Sequence, residues 1–81
     1  MNLEQVDLGS LYRVSEVTAP KDAPQMKGQL EDIGFLPGEQ VTVLRKGLLG
    51  KGPYMVRVGA STFALRKSEA CMISVEVLSN V

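Results

Sequence analysis

The sequence predicts a mainly β protein, a small barrel of about five strands with one short α-helix between the first two strands. Two observations predict this class. Short segments that alternate apolar and polar residues recur at roughly 8–12-residue intervals between glycine and proline turns. One segment near the start instead has its apolar residues at helical spacing. Because 81 residues fall within the size range of one domain, we also expect a single domain over residues 1–81.

The first strand is predicted over residues 11–17. Tyr12 and Val14 share one face there, and Arg13 lies on the other face between them, which is the pattern of a half-buried strand. The two prolines within residues 19–24 are expected to end this strand, because proline has no N–H group to donate to a neighbouring strand.

The helix is predicted to follow these prolines and to end at Gly34, because glycine readily adopts the left-handed conformation that ends many helices. Asp22 is its expected N-cap. Its apolar stripe is predicted to consist of Met26, Leu30 and Ile33. Gly28 lies inside the helix, where it costs about 1 kcal/mol relative to alanine. Either a close backbone approach or a tolerated defect explains that glycine.

Four more strands are predicted, at residues 41–45, 54–58, 61–65 and 72–78. Pro37 and Gly38 are expected to form a type II turn before the first of these strands. Gly59 suits the first position of a two-residue hairpin turn. Residues 46–53 contain three glycines and a proline and are expected to form a loop. Residues 67–70 are predicted to form a short helical turn.

The charged residues are balanced in number but separated along the chain. Nine basic and nine acidic residues give a net charge of zero, which argues against a polyelectrolyte nucleic-acid binder. Residues 1–39 carry seven acidic and three basic side chains, whereas residues 40–68 carry six basic and no acidic ones. If folding gathers the basic segment on one face, that face is expected to meet an acidic surface. The alternative is a solvated set of outward positions, balanced by acidic residues of the helix and the N-terminus.

Residue types that commonly carry chemistry are missing or sparse. The chain has no histidine and one cysteine, so it lacks the usual proton shuttle, the commonest metal ligand and any internal disulfide. The sequence contains no nucleophile–base pair, phosphate-binding loop or CxxC motif. We therefore expect a protein that is not an enzyme and that has no cofactor. The sequence offers no set of metal-ligating residues and does not support direct iron binding, although transition metal binding stays open. Cys71 is expected to be a small buried or half-buried apolar residue.

The sequence also bears on location. No apolar run approaches the length of a membrane-spanning helix, and the first ten residues lack the basic start and apolar run of a secretory signal. A single cysteine fits a reducing compartment. We expect a cytoplasmic protein that does not insert directly into a membrane.

The segment at residues 30–38, LEDIGFLPG, resembles the signature of the ferrous iron transport protein A family, the FeoA-like domains. The likeness continues through the strand at 41–44, the loop at 48–53 and the run FALR at 63–66. It covers about residues 8–78, almost the whole chain. The resemblance implies a small SH3-like β-barrel with a helical insertion and a role in bacterial ferrous iron transport.

By this resemblance, the chain is expected to bind the cytoplasmic, G-protein-like part of the FeoB membrane iron transporter. It would change the conformation or nucleotide hydrolysis of that partner without doing chemistry itself. The contacts are expected from exposed apolar side chains, which cost free energy unless something covers them, and from basic side chains nearby. The candidate partner-binding residues are Leu36, Lys46, Leu48, Leu49, Lys51, Tyr54, Arg57 and Arg66.

Several alternatives stay open. Leu48 and Leu49 are equally suited to fold back over the mouth of the barrel as a lid. FeoA-like barrels also occur at the C-terminus of metal-dependent repressors, which implies a regulatory domain acting in trans. A nucleic-acid-binding small barrel is favoured by the basic segment, but opposed by the four aromatic residues, which show no stacking platform. Exposed apolar loops also allow a homo-oligomer.

Overall fold

The computed structural model describes residues 1–47 and 52–78. The strands are β1 (Tyr12–Val17), β2 (Gln40–Arg45), β3 (Tyr54–Val58), β4 (Ser61–Leu65) and β5 (Ile73–Val77), and the helices are α1 (Gln25–Asp32) and α2 (Lys67–Ala70). The strands form one antiparallel sheet in the order β4-β3-β2-β1-β5. The predicted mainly β class, with a helix between the first two strands, is therefore confirmed. Neither described helix is long and apolar enough to cross a membrane.

Most of the core is formed by the inward-facing residues of these strands. In β3, Tyr54, Val56 and Val58 are buried, whereas Met55 and Arg57 between them are not. This alternation follows from the extended backbone, which turns successive side chains to opposite faces of a sheet. The predicted strand boundaries depended on the same alternation, and β3 and β4 have the predicted limits.

Two irregular pairings bend the strands around this core. The register of β1 against β5 shifts between Val14 and Glu16, and the extra residue returns Val17 to the buried face. The register of β2 against β3 shifts between Val43 and Arg45. Bulges of this kind bend a strand and increase its twist, which lets five short strands curve around a small core.

Helix α1 ends in a Schellman motif. Gly34 has a φ of +122°, and its N–H group donates to the carbonyl of Glu31 at 3.0 Å. The N–H group of Phe35 reaches back to the carbonyl of Leu30 at 3.1 Å, which completes the motif. This reversal buries Phe35 (0 % exposed) and leaves Ile33 39 % exposed. The predicted apolar stripe is wrong at Ile33, because the ring of Phe35 takes its place in the core.

The two turns that flank α1 differ in how well they were predicted. The N-cap of α1 is Pro24, without a side-chain capping hydrogen bond, so the expected cap at Asp22 is wrong. The turn before β2 has the predicted geometry. Gly38 has a φ of +93°, and the N–H group of Glu39 donates to the carbonyl of Leu36 at 3.0 Å, as in a type II turn.

Residues 1–3 extend the sheet beyond β5. The N–H group of Leu3 donates to the carbonyl of Ile73 at 3.2 Å, and the N–H group of Val75 donates to the carbonyl of Met1 at 2.8 Å. The side chain of Leu3 is buried in the core. The sequence did not predict this pairing, because three residues are too few to show an alternating pattern.

We predict opposite effects of alanine at Gly34 and Gly28. The positive φ of Gly34 strains any L side chain, and an added Cβ would lie 3.4 Å from Cγ1 of Val58. Gly34→Ala should therefore lower the free energy of unfolding by about 1–3 kcal/mol. No atom lies within 4 Å of the place a Cβ would take on Gly28, so Gly28→Ala should raise it by about 0.5–1 kcal/mol. Denaturant titration measures both changes.

The surroundings of Gly28 also decide between the two explanations of a glycine inside the helix, a close backbone approach and a tolerated defect. Open space around its Cα indicates a tolerated helical defect, not a close backbone approach. A Gly28→Ala protein less stable than the parent would contradict that conclusion.

Candidate interaction surface

Strand alternation brings arginines to the outer face of the sheet. Arg57 lies between the buried residues Val56 and Val58 of β3, so its side chain points away from the core. Its cross-strand partners are Thr42 on β2 and Thr62 on β4. Arg57 therefore stands near the middle of the outer face of β2, β3 and β4.

Arg45 and Arg66 lie on the same outer face. Arg45 pairs with Met55 of β3, which is on the same side of that strand as Arg57. Arg66 follows the buried Leu65 in extended conformation, with φ −70° and ψ 155°, so alternation turns its side chain outward. All three arginines are exposed. We call Arg45, Arg57 and Arg66 the arginine face.

The arginine face contains no acidic side chain. The other outward residues of β2, β3 and β4 are uncharged and include Thr42, Met55, Thr62 and Ala64. The ion pairs within residues 1–47 and 52–78 join Arg13 to Glu76 and Lys67 to Glu4. Within those residues, then, no carboxylate pairs with a guanidinium group of the arginine face. Folding thus gathers three of the six bases of the basic segment on one face.

Two lysines of that segment instead bind the N-terminal residues. Nζ of Lys46 donates to the carbonyl oxygens of Glu4 at 2.9 Å and of Val6 at 3.1 Å. Nζ of Lys67 lies 3.3 Å from Oε1 of Glu4, and Sγ of Cys71 donates to Oε2 of Glu4 at 2.8 Å. We call Glu4, Lys46, Lys67 and Cys71 the N-terminal clasp. Lys46 was predicted to contact a partner, but its ammonium group donates hydrogen bonds to carbonyl groups of the same chain.

The clasp shifts the pKa values of its members. Hydrogen bonds from Cys71 and Lys67 lower the pKa of the Glu4 carboxyl. The hydrogen bond to Glu4 raises the pKa of the Cys71 thiol and that of the Lys67 ammonium. Because the pKa of Glu4 is lower in the folded state, its contribution to stability is present above the ordinary glutamate pKa. It is lost as the pH falls through the lowered value.

Cys71 differs from its predicted environment. The residue is exposed, so the expectation of a buried or half-buried apolar residue is wrong. Its position directly after α2 brings the thiol to the Glu4 carboxylate, where it acts as a hydrogen-bond donor. Within residues 1–47 and 52–78, no three carboxylate or thiol side chains are grouped so that they could hold a metal ion.

The predicted contact residues do not form one surface. Leu36 is 45 % exposed but lies in the turn before β2, whereas Lys46 follows the end of that strand. The strand β2, whose six residues span roughly 16 Å, lies between them. Tyr54 is 4 % exposed, and its burial removes it from the candidate contacts. The predictions for Leu48, Leu49 and Lys51 lie outside the described residues.

An open depression of about 420 Å³ lies where the arginine face meets the clasp. Gly52, Pro53, Arg66 and Lys67 line it. The N–H group of Arg66 donates to Oε1 of Glu69 at 2.7 Å, which ties the start of α2 to the end of β4. Helix α2 thus sets the positions of both basic side chains in the depression.

The N-terminal clasp has no clear signature in the amino-acid sequence. Cys71 and Glu4 are 67 positions apart in the chain, and no local pattern connects them. The only sequence feature that indicates a packed N-terminal segment is weak. Leu3 and Val6 are apolar residues in a polar N-terminal segment, and both are buried in the structure.

Comparisons with known proteins agree with this fold. The model of the FeoA domain family matches residues 1–77. The crystal structure of FeoA from Stenotrophomonas maltophilia, described as an SH3 domain protein complexed with zinc, has 34 % sequence identity and a TM-score of 0.83. That match covers 94 % of this chain and 89 % of the other. The predicted SH3-like barrel is thereby confirmed.

Two solution structures are also similar. FeoA from Chlorobium tepidum has 28 % identity and a TM-score of 0.82, and the match covers 100 % of this chain and 73 % of that chain. A FeoA-like protein from Clostridium acetobutylicum has 27 % identity and a TM-score of 0.80, with coverages of 100 % and 90 %. A comparison with curated proteins finds no match.

We predict that Lys46→Met destabilises the protein. The substitution removes a charged donor from the carbonyl groups of Glu4 and Val6, which should lower the free energy of unfolding by about 1–3 kcal/mol. Lys27→Met, on the exposed surface of α1, is the matched control and should change it by less than about 0.5 kcal/mol. The amide of Leu3 should also exchange its hydrogen faster in Lys46→Met. Equal stability of the two variants would refute the clasp.

We also predict that Glu4 suppresses the reactivity of Cys71. The hydrogen bond to the carboxylate raises the pKa of the thiol, and the thiolate is the form that reacts. Glu4→Gln should therefore shift the pH profile of Cys71 alkylation to lower pH and speed the reaction at mildly alkaline pH. Glu76→Gln, which removes the carboxylate paired with Arg13, is the control and should leave the profile unchanged.

Proposed function

This chain belongs to the FeoA domain family, and from that membership we propose that it is a cytoplasmic accessory protein of ferrous iron transport. It acts without catalysis, by binding the cytoplasmic part of a FeoB-type membrane iron transporter. The family match over residues 1–77 supports the link to iron transport. The similar Stenotrophomonas maltophilia protein has been put forward as a ferrous iron transport activating factor.

The arginine face is the observation that supports a binding role. Arg45, Arg57 and Arg66 are exposed on one side of the sheet, and in the described part of the chain no carboxylate pairs with them. Arginine is enriched at protein interfaces, where its planar group binds carboxylates through two hydrogen bonds. A partner with acidic side chains would supply the missing charges.

The mechanism in this proposal is a shift of the partner between conformations. A bound accessory protein moves an equilibrium only to the extent that it prefers one conformation of its partner. Contacts with a G-protein-like domain that changes shape with its nucleotide meet this requirement. Ferrous iron is the cargo of the transporter here and needs no site on this chain.

A protein partner is favoured over nucleic acid by the placement of the aromatic residues. Tyr12, Phe35 and Tyr54 are buried, and Phe63 packs against the core. Proteins that bind single-stranded nucleic acid without sequence preference stack bases on aromatic rings beside a basic groove. The outer face offers arginines without such rings, which suits carboxylates better than bases.

We predict that the arginine face carries the affinity for the transporter. Arg57→Gln combined with Arg66→Gln should weaken binding to the purified cytoplasmic domain of FeoB from the same organism by about tenfold or more, because each tenfold corresponds to about 1.4 kcal/mol. Arg13→Gln is the matched control. It removes one positive charge from the outer face of β1, where Arg13 pairs with Glu76, and should leave affinity nearly unchanged.

Titration calorimetry with and without guanine nucleotide measures these affinities, and thermal unfolding confirms that the variants stay folded. Absence of binding by the parent protein under every nucleotide condition would refute the proposed function. Because Arg13→Gln removes one charge and the double variant removes two, equal weakening per charge removed would show that total charge, not the arginine face, determines the affinity.

A further inference from the structure

The two edges of the sheet differ in how they are closed. β5 lies at one edge, and residues 1–3 pair with it at Ile73 and Val75. β4 lies at the other edge. Within residues 1–47 and 52–78, no segment pairs with β4 on the side away from β3.

The hairpin between β3 and β4 determines which groups of β4 are unpaired. Val58 and Ser61 flank its two-residue turn, and such flanking residues form a hydrogen-bonded pair. Because bonded and non-bonded pairs alternate in antiparallel strands, Ser61, Phe63 and Leu65 direct their N–H and C=O groups toward β3. Thr62 and Ala64 direct theirs toward the open edge.

β4 also lacks the features that protect an edge strand. Its sequence, STFAL, contains no proline and no charged residue, and its pairing with β3 has no bulge. Natural edge strands usually carry one of these features, because an unprotected edge is a template for another strand. Ser61, Thr62 and Ala64 are exposed, so the edge is open to a partner.

The side chains around this edge specify the chemistry of an added strand. Its outward residues would lie beside Thr62 and Ala64 of β4. Arg57 is the partner of Thr62 on β3, and Arg66 follows Ala64 along the same face of β4. Its inward residues would lie beside Phe63, which is half-buried against the core. Carboxylates suit the first side and apolar side chains the second.

We propose that the edge of β4 binds an extended segment of a partner protein as a sixth strand, a segment that alternates acidic and apolar residues. Main-chain hydrogen bonds to Thr62 and Ala64 would supply affinity, and the alternating side chains would supply specificity. The proposal rests on the proposed function only for the identity of the protein that carries this segment.

A second copy of this chain fits the edge poorly. Antiparallel pairing of two β4 strands would continue the sheet and place both arginine faces on the same side. Six arginines, three from each copy, would then share one surface without a carboxylate from β2, β3 or β4. Repulsion between like charges opposes that arrangement, whereas an acidic segment relieves it.

Amide hydrogen exchange of the full chain, followed by NMR, tests the proposal directly. The probe is a synthetic peptide that alternates glutamate with valine, and its control replaces each glutamate with glutamine. In the free protein the amides of Thr62 and Ala64 should exchange fast. Saturating glutamate peptide should slow them by about tenfold or more, as expected for newly formed strand hydrogen bonds, and the glutamine peptide should bind more weakly.

A second arm uses the cytoplasmic domain of the transporter as ligand, so that the two proposals can fail separately. Protection of Thr62 and Ala64 by that domain supports both. Binding of the domain that protects other amides and leaves these two unchanged overturns the sixth strand but keeps the proposed function. Protection by the peptide without any binding of the domain keeps the sixth strand and overturns the function. If neither the peptide nor the transporter domain binds, both the sixth strand and the proposed function are overturned.

The chemical selectivity is tested by variants. Arg57→Gln with Arg66→Gln should weaken the glutamate peptide by about tenfold and leave the glutamine peptide unchanged, and Arg13→Gln should affect neither peptide. Equal affinity of the two peptides for the parent protein would overturn the assignment of an acidic segment.

Discussion

The ammonium group of Lys46 holds the N-terminal residues in place, and much of the molecule depends on this contact. It donates to the carbonyls of Glu4 and Val6 and, together with the hydrogen bonds between residues 1–3 and β5, holds this segment against the sheet. Fixing this segment keeps Leu3 and Val6 in the core and residues 1–3 on the edge of β5. In so small a protein, the loss of two buried side chains would be a large fraction of the core.

The clasp also divides the basic segment into two groups with different uses. Lys46 and Lys67 contact the N-terminal residues, while within the described residues the three arginines make no ion pair. Zero net charge therefore conceals one region in which charges compensate each other and one in which, among the described residues, they do not. Strand alternation places the arginines on the outer face, whereas the two lysines lie outside the strands and reach the N-terminal residues.

The sequence predicted the features that depend on local constraints. Alternation located β3 and β4, and glycines that require positive φ located the turns at Gly38 and the end of α1. The sequence did not predict which side chain packs into the core at the end of α1. Ile33 was expected in the core because helical spacing alone was considered, but the Schellman motif brings Phe35 there instead. Leu36 and Lys46 stay separate candidate contacts, and β2 lies between them.

The division between lysine and arginine fits the chemistry of each contact. An ammonium group is a compact charge with three donors on a flexible stem, which suits two carbonyl oxygens at different angles, as around Lys46. A guanidinium group is a planar fork that matches a carboxylate, and the partners proposed for Arg57 and Arg66 are carboxylates. The two edges of the sheet are also divided between contacts within the chain and contacts with a partner. The chain's own residues 1–3 cover β5, and β4, beside the arginines, is the edge left for a partner's strand.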